Sequence, residues 1–315
     1  MRFSGPPTRR HFLTGSGASA LGLAMGAPAR PSIAATRTHT MRLGQTEITT
    51  FSDGIFVLPL SFALPDTAKE EAEAFLKSHG DRLAFVGETN IVVVRSGSTL
   101  ALIDTGGGTD FMPSLGKLPD ALESADVRAD EVTHVIFTHA HADHFWGVMD
   151  PFTEASRWPN ARHIMTAIER DFWLADGVEH KVPDAAKGMA IGINRRLKAL
   201  GDVISTVRDG TEIAPGIAFL GTPGHTPGHA SVVVRDGSNE IVIGGDALTH
   251  AAVSFAHSGW RWGADLDWQQ AAETRARLLD RLASSKALFA GYHLPWPGIG
   301  HTERHGTAYR FVPDA

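Results

Sequence analysis

The chain has 315 residues, of which 43% are hydrophobic and 20% charged, enough apolar content for a sizeable core. It holds no cysteine, which excludes disulfides, thiolate metal sites and cysteine nucleophiles and leaves imidazole and carboxylate as metal ligands. A formal net charge of −6 argues against a nucleic-acid partner, whose phosphates require a basic face.

Residues 1–35 read as a leader rather than as part of the fold. Arg9-Arg10-His11-Phe12-Leu13 has the form of a twin-arginine export signal, and the small, mildly apolar run "LTGSGASALGLAMGAPA" follows it. Ala27-Pro28-Ala29 and Ile33-Ala34-Ala35 are candidate cleavage sites. The plainer alternative is a tail with a chance Arg-Arg pair. The order of charge, apolar run and small residues favours export, and so a periplasmic location. Nothing downstream is long and apolar enough to span a membrane.

Residues 36–315 read as one α/β domain. "NIVVVR" (90–95) and "LALI" (100–103) are strands around a Ser-Gly-Ser turn. "VTHVIFT" (132–138) is a strand that ends at a histidine cluster. Helical spacing of apolar residues predicts helices over 166–175, 184–200 and 268–284. "SVVV" (231–234) and "IVI" (241–243) flank Asp236-Gly237, a hairpin turn. No repeat and no linker interrupts the alternation.

The chemistry lies in "THAHADH" (138–144). His139 and His141 alternate at a strand end, so both side chains point the same way. Asp143 and His144 follow in the turn. Such groups converge without repulsion only around a cation, and these donors suit zinc, manganese, iron or cobalt. Later strand-like runs also end in polar residues. "GTPGHTPGH" (221–229) presents His225, "VIGGDALT" (242–249) presents Asp246, and "FAGYHLPWPGIGH" (289–301) presents His293. All can then lie along one edge of a sheet or sandwich. His139, His141 and His225 are assigned to one metal, Asp143, His144 and His293 to a second, and Asp246 bridges them. Two divalent ions so placed hold a hydroxide between them. In "DTGGG" (104–108) the lysine and spacing of a phosphate loop are missing, so it reads as a strand-end turn. Asp104 is a candidate partner for the far nitrogen of a ligand histidine.

This constellation resembles the metallo-β-lactamase superfamily, over roughly residues 40–315. The resemblance implies an αββα sandwich with a binuclear zinc site at the sheet edges. It makes His225, not His229, the ligand in "PGHTPGH". His229 then supports the site or is merely structural. The segments 41–60 and 293–315, with "ALIDTGGG", "RDFWLADG" and "APGIAFLGTPGHTPGH", look like the methyl parathion hydrolase branch. That likeness implies hydrolysis of neutral esters, lactones or aryl phosphotriesters by the bridging hydroxide, and it admits a homodimer. Asp246 would fix the intermetal distance and Asp143 would orient the nucleophile. Phe111, Trp173 and Met189 match positions lining an apolar leaving-group pocket, where Trp173 is expected to stack on aryl substrates. Phe145-Trp146 replaces the smaller residues commoner after the motif, which predicts a reshaped mouth to the site. Thr249, three residues after Asp246, stands where many acyl-homoserine lactonases carry a tyrosine. The alternatives are a mononuclear iron dioxygenase of the same fold and a non-enzymatic periplasmic metal-binding protein.

Overall fold

A computed structural model describes residues 37–314. The leader assigned to residues 1–35 lies outside the described residues. The strands follow in chain order as β1 (Thr38–Leu43), β2 (Thr46–Leu58), β3 (Phe85–Ser96), β4 (Thr99–Ile103), β5 (His134–Ile136), β6 (Arg162–Thr166), β7 (Ile204–Val207), β8 (Glu212–Ala214), β9 (Ile217–Gly221), β10 (Ala230–Asp236), β11 (Asn239–Ile243), β12 (Leu288–Ala290), β13 (Ile299–His305) and β14 (Ala308–Pro313). The helices are α1 (Leu60–Ala63), α2 (Lys69–Ser78), α3 (Gly108–Phe111), α4 (Leu118–Ser124), α5 (Ala142–Phe145), α6 (Ala167–Leu174), α7 (Lys187–Leu200), α8 (Val253–Ala256) and α9 (Trp268–Ser285).

One sheet runs β1-β2-β3-β4-β5-β6-β7 and the other β14-β13-β12-β11-β10-β9-β8. The chain completes the first sheet before it begins the second. The two face each other through aliphatic side chains. Val92, Val94, Ile103, Ile136 and Ile164 of the first pack with Phe219, Val232, Val234, Ile241 and Ile243 of the second. The central parts of β3 and β10 are buried on both faces, which is why Ile91–Val94 and Val232–Val234 are unbroken β-branched runs rather than alternating ones. The outer face of the first sheet packs against α4, α6 and α7, where Leu118, Leu122, Trp173, Ile193 and Leu197 meet Val93, Leu102 and Val135. The outer face of the second packs against α9, where Leu278, Leu279 and Leu282 meet Val233, Val242 and Phe289. The result is the expected αββα sandwich.

The two hairpins and the three expected helices, found as α6, α7 and α9, stand where the sequence placed them, whereas α2 was not expected. One strand is shorter than expected: β5 keeps only His134–Ile136 of the run 132–138. Phe137 still donates to Ile164 O, but the Thr138 N–H leaves the ladder for Asp104 Oδ1 at 2.8 Å. The strand therefore opens at the point where the histidines begin. β4, β5, β9, β11 and β12 all end at this edge, and each is followed by a residue of the motif set. No helix among the described residues is long and apolar enough to cross a membrane.

Candidate metal centre

Two groups of ligand atoms converge at the edge. His139, His141, His225 and Asp246 form one, and Asp143, His144 and His293 form the other; within each, the atoms lie within 4.8 Å of one another. All seven residues are buried. Asp246 joins the groups: its Oδ2 lies 3.2 Å from His225 Nε2, and its Oδ1 lies 3.1 Å from His144 Nε2 and 3.2 Å from His293 Nε2. Asp143 Oδ2 lies 3.2 Å from His293 Nε2. The glycines before Asp246 allow this approach. Gly245 has φ +52, and a Cβ there would fall 2.7 Å from His229 Nε2 and 2.8 Å from Thr138.

The far side of three of the imidazoles is fixed. His144 Nδ1 donates to Asp104 Oδ2 at 2.8 Å, as the sequence led us to expect. His225 Nδ1 donates to Asp265 Oδ1 at 3.0 Å, and His293 Nδ1 to Glu88 O at 2.7 Å. Each contact keeps a proton on Nδ1, so that Nε2 faces the centre and gains a lone pair for a metal once it loses its own proton. His229 is outside both groups. Its Nδ1 lies 3.0 Å from Thr222 O, and its Nε2 accepts the Asp246 N–H at 3.0 Å. It thus supports the main chain of Asp246, the residue that joins the two groups.

Several supporting residues were not visible in the sequence. Asp265 holds His225 and is itself paired with Arg275 Nη1 at 2.8 Å. Tyr292 stacks on His144, with centroids 3.7 Å apart, and its hydroxyl donates to Asp143 O at 2.6 Å. Asn90 Nδ2 donates to Gly291 O and Leu294 O, bracketing His293. Glu169 accepts from Ala140 N and Trp173 Nε1 with one oxygen and from Thr226 Oγ1 and Gly228 N with the other. Apart from Trp173–Glu169, which are four residues apart on α6, these pairings cross ten residues of chain or more, so no local pattern announces them. The one local cue is Thr166-x-x-Glu169, a capping-box spacing whose glutamate is turned toward the site loops instead.

The donors fit a metal pair better than they fit each other. His139 Nε2, His141 Nε2, His144 Nε2 and Asp246 Oδ1 are buried without a hydrogen-bond partner, a costly state that a cation relieves. His225 Nε2 and His141 Nδ1 lie 2.9 Å apart. Burial and the neighbouring histidines push His139 and His141 well below the usual imidazole range. Burial also opposes charge on His225 and His293, but Asp246, with Asp265 or Asp143, outweighs it and raises both to about 9. The two groups suit a dinuclear site.

The centre opens into a cavity of about 240 Å³. Phe56, Phe62, Phe85, Trp262 and Leu266 form its walls together with Phe111 and Met189, two of the residues expected there. Phe56 and Phe85 meet the His293 ring edge on. Three other expected residues do not line it. Phe145 and Trp173 are fully buried in the core between the first sheet and its helices, because α5 and α6 turn those faces inward. Trp173 reaches the site only from behind, with its ring 5.8 Å from His141. Trp146 turns away and packs beneath Arg196. The bulky pair after the motif therefore leaves the cavity mouth to others.

Known proteins share this architecture. The dizinc quorum-quenching lactonase AidC, solved with a product bound, superposes with a TM-score of 0.84 at 26% identity, covering 89% of this chain and 98% of that one. The hydrolase AbOPH of the beta lactamase superfamily gives 0.81 at 26% identity, covering 88% and 97%. A probable metallo-hydrolase of Mycobacterium bovis is 26% identical over 192 residues, 51% of this chain and 57% of the relative, so the match spans little more than half of that protein. The family model of the metallo-beta-lactamase superfamily matches residues 84–293, which begin at the strand that brackets His293 and end on His293 itself. With all seven clustered residues inside that span, the chain belongs to the metallo-beta-lactamase superfamily.

Proposed function

We propose that this metal-dependent hydrolase cleaves neutral carboxylic esters and lactones, with weaker action on aryl phosphotriesters, as a member of the methyl parathion hydrolase-like branch. The observation that carries the reading is the contrast between the centre and its cavity. Ligand carboxylates and imidazoles sit at the floor, the walls are aromatic and aliphatic, and among the described residues no lysine or arginine lines them. An anionic monoester would lose hydration there without a cationic side chain to compensate, at several kcal/mol. A neutral acyl or aryl group gains about 25 cal/mol for each Å² of apolar surface it buries. The lactonase named above supports the lactone side of the proposal.

His139, His141 and His225 would hold one ion, Asp143, His144 and His293 the other, and Asp246 would touch both. A bound pair lowers the pKa of water toward neutrality and polarises the carbonyl or phosphoryl oxygen. The chain's own residues supply the rest. Asp104, Asp265 and the Glu88 carbonyl keep three imidazoles aimed inward. His229 holds the Asp246 main chain, and the apolar walls exclude bulk water from the reacting ester. We take the ions to be zinc, and we propose that Arg9 and Arg10 direct export. N-terminal sequencing of protein from the native host should then find the mature chain starting between about residues 28 and 40.

The test is a panel of δ-lactones, aryl esters, aryl phosphotriesters and aryl phosphomonoesters, offered to protein of measured metal content. Turnover should follow that order. A preference for monoesters, or oxygen consumption by protein holding a single iron, would replace this reading.

A further inference from the structure

Trp146 follows His144 by two residues yet faces away from the centre. The Arg196 guanidinium lies over its ring, 4.0 Å from the centroid. Phe111 meets the same ring edge on, at 5.9 Å and 72°. Arg196 is buried, and its Nη2 donates to Asp110 Oδ2 at 2.8 Å. Asp110 and Phe111 are consecutive residues at the end of α3, a single turn with no side-chain cap. Gly106, Gly107 and Gly108 precede that pair closely, and two of these glycines have positive φ. One turn of helix flanked by glycines does not hold itself in place, because nucleation costs more than one turn returns. The position of Phe111 must therefore come from outside α3. On α7, Met189, Gly192 and Arg196 share one face by their spacing. Met189 lines the cavity, and a Cβ on Gly192 would come within 2.5 Å of the Trp146 ring. Glycine at that position lets α7 close onto the indole.

We infer that Trp146, Arg196 and Asp110 form a clamp that fixes Phe111 opposite Met189 and so sets the size of the substrate group the cavity admits. They are positioning residues, acting through Phe111 and not on the substrate. The inference rests on the ester and lactone reading above. The bulk at Trp146 thus governs the cavity from behind its wall.

The experiment compares zinc-loaded wild type with Asp110→Asn, Arg196→Met and Arg196→Lys. Glu273→Gln, at an exposed pair on α9, serves as control. The readouts are kcat and KM for a short and a long-chain δ-lactone, together with hydrogen exchange of the amides of residues 108–112. Asp110→Asn and Arg196→Met should change the long-to-short ratio of kcat/KM by at least about fivefold, mainly through KM. Exchange at 108–112 should rise by about tenfold or more. Arg196→Lys, which keeps the charge but not the flat stacking surface, should fall between, and the control should match wild type. Folded variants with unchanged ratio and unchanged exchange overturn the clamp. So does an equal loss of kcat on both lactones accompanied by loss of zinc. If wild type turns over neither lactone, the ester reading fails, and exchange alone decides: raised exchange supports the clamp, unchanged exchange overturns it.

Discussion

Asp246 stands where three imidazoles meet, with His144, His225 and His293 each within 3.2 Å of one of its oxygens. Removing it leaves those rings facing each other without a shared anion. We expect Asp246→Ala to lower turnover at least about a hundredfold and to lose bound metal, the upper range for a lost partner at a metal site. Retention of both ions with near-normal turnover would contradict the bridging role. His225→Ala should be comparably damaging, whereas His229→Ala, which takes a partner from the Asp246 N–H and from Thr222 but removes no ligand atom, should be milder. Protonation works at the same scale. In the metal-free chain His225 and His293 hold protons up to about pH 9. Because both are raised above an ordinary histidine near 6.5, their charged forms stabilise the metal-free fold fully below that pH, and this contribution is lost as pH rises through about 9. A metal must displace those protons, and that on His144, which its carboxylate neighbours also raise despite burial, so zinc affinity should climb with pH through about 9. Calorimetric titrations at pH 7.5 in buffers of different ionisation enthalpy should show proton release. Binding that releases none would mean that these rings are already neutral.

The ligand loops are held by elements, and α6 carries the central strut. Glu169 sits in its first turn, fully buried, and accepts hydrogen bonds from the 138–144 loop with one oxygen and from the 222–229 loop with the other. An amide in its place could accept on one side only and would press its own donors against an N–H or hydroxyl on the other. Glu169→Gln should therefore cost about 2–3 kcal/mol of stability, measured by urea unfolding of metal-loaded protein, while Thr226→Val, which removes one donor to Glu169 with little change of volume, should cost about 1 kcal/mol. Equal effects of the two changes would show that the loops do not depend on the strut. These elements also mark what the sequence could convey. The hairpin at Asp236-Gly237 and the helix Trp268–Ser285 were legible because their signals are local: a turn dipeptide, and apolar residues at helical spacing. The seven clustered residues were legible because each ends a strand and the motif spacing is tight. Phe145 and Trp173 were misplaced for the opposite reason. An aromatic beside a motif reads the same whether its helix turns it to the cavity or to the core, and that choice is made by packing on the first sheet. Asp265, Tyr292 and Asn90 act across 40, 149 and more than 200 residues, where no spacing rule reaches.

At the scale of the whole molecule the centre is a joint between two halves. His139, His141, Asp143 and His144 follow β5 of the first sheet, while His225, Asp246 and His293 follow β9, β11 and β12 of the second. Between the sheets the contacts are aliphatic and carry little direction. At the edge, side chains from both sheets crowd imidazoles and carboxylates into one buried space, with four polar atoms lacking partners. Without metal that edge is therefore the expensive part of the sandwich, and with metal it becomes a cross-link between the sheets. Ligand binding to the folded state alone stabilises it by RT ln(1 + [L]/Kd), about 4 kcal/mol at a thousandfold excess over Kd. Two ions double that, which for a domain of this size is a rise in Tm on the order of 10–15 °C. Chelation of the purified protein should lower Tm by that amount, and zinc should restore it with about two ions taken up per chain. The linkage should also be local. Hydrogen exchange after chelation should rise in residues 138–146, 222–229, 244–249 and 290–294, and leave β10 and the inner face of α9 protected. Uniform exchange across both sheets would mean that the metals hold the entire sandwich together. An unchanged Tm at full metal removal would mean that the apolar interface suffices and that the ligands are present for chemistry alone.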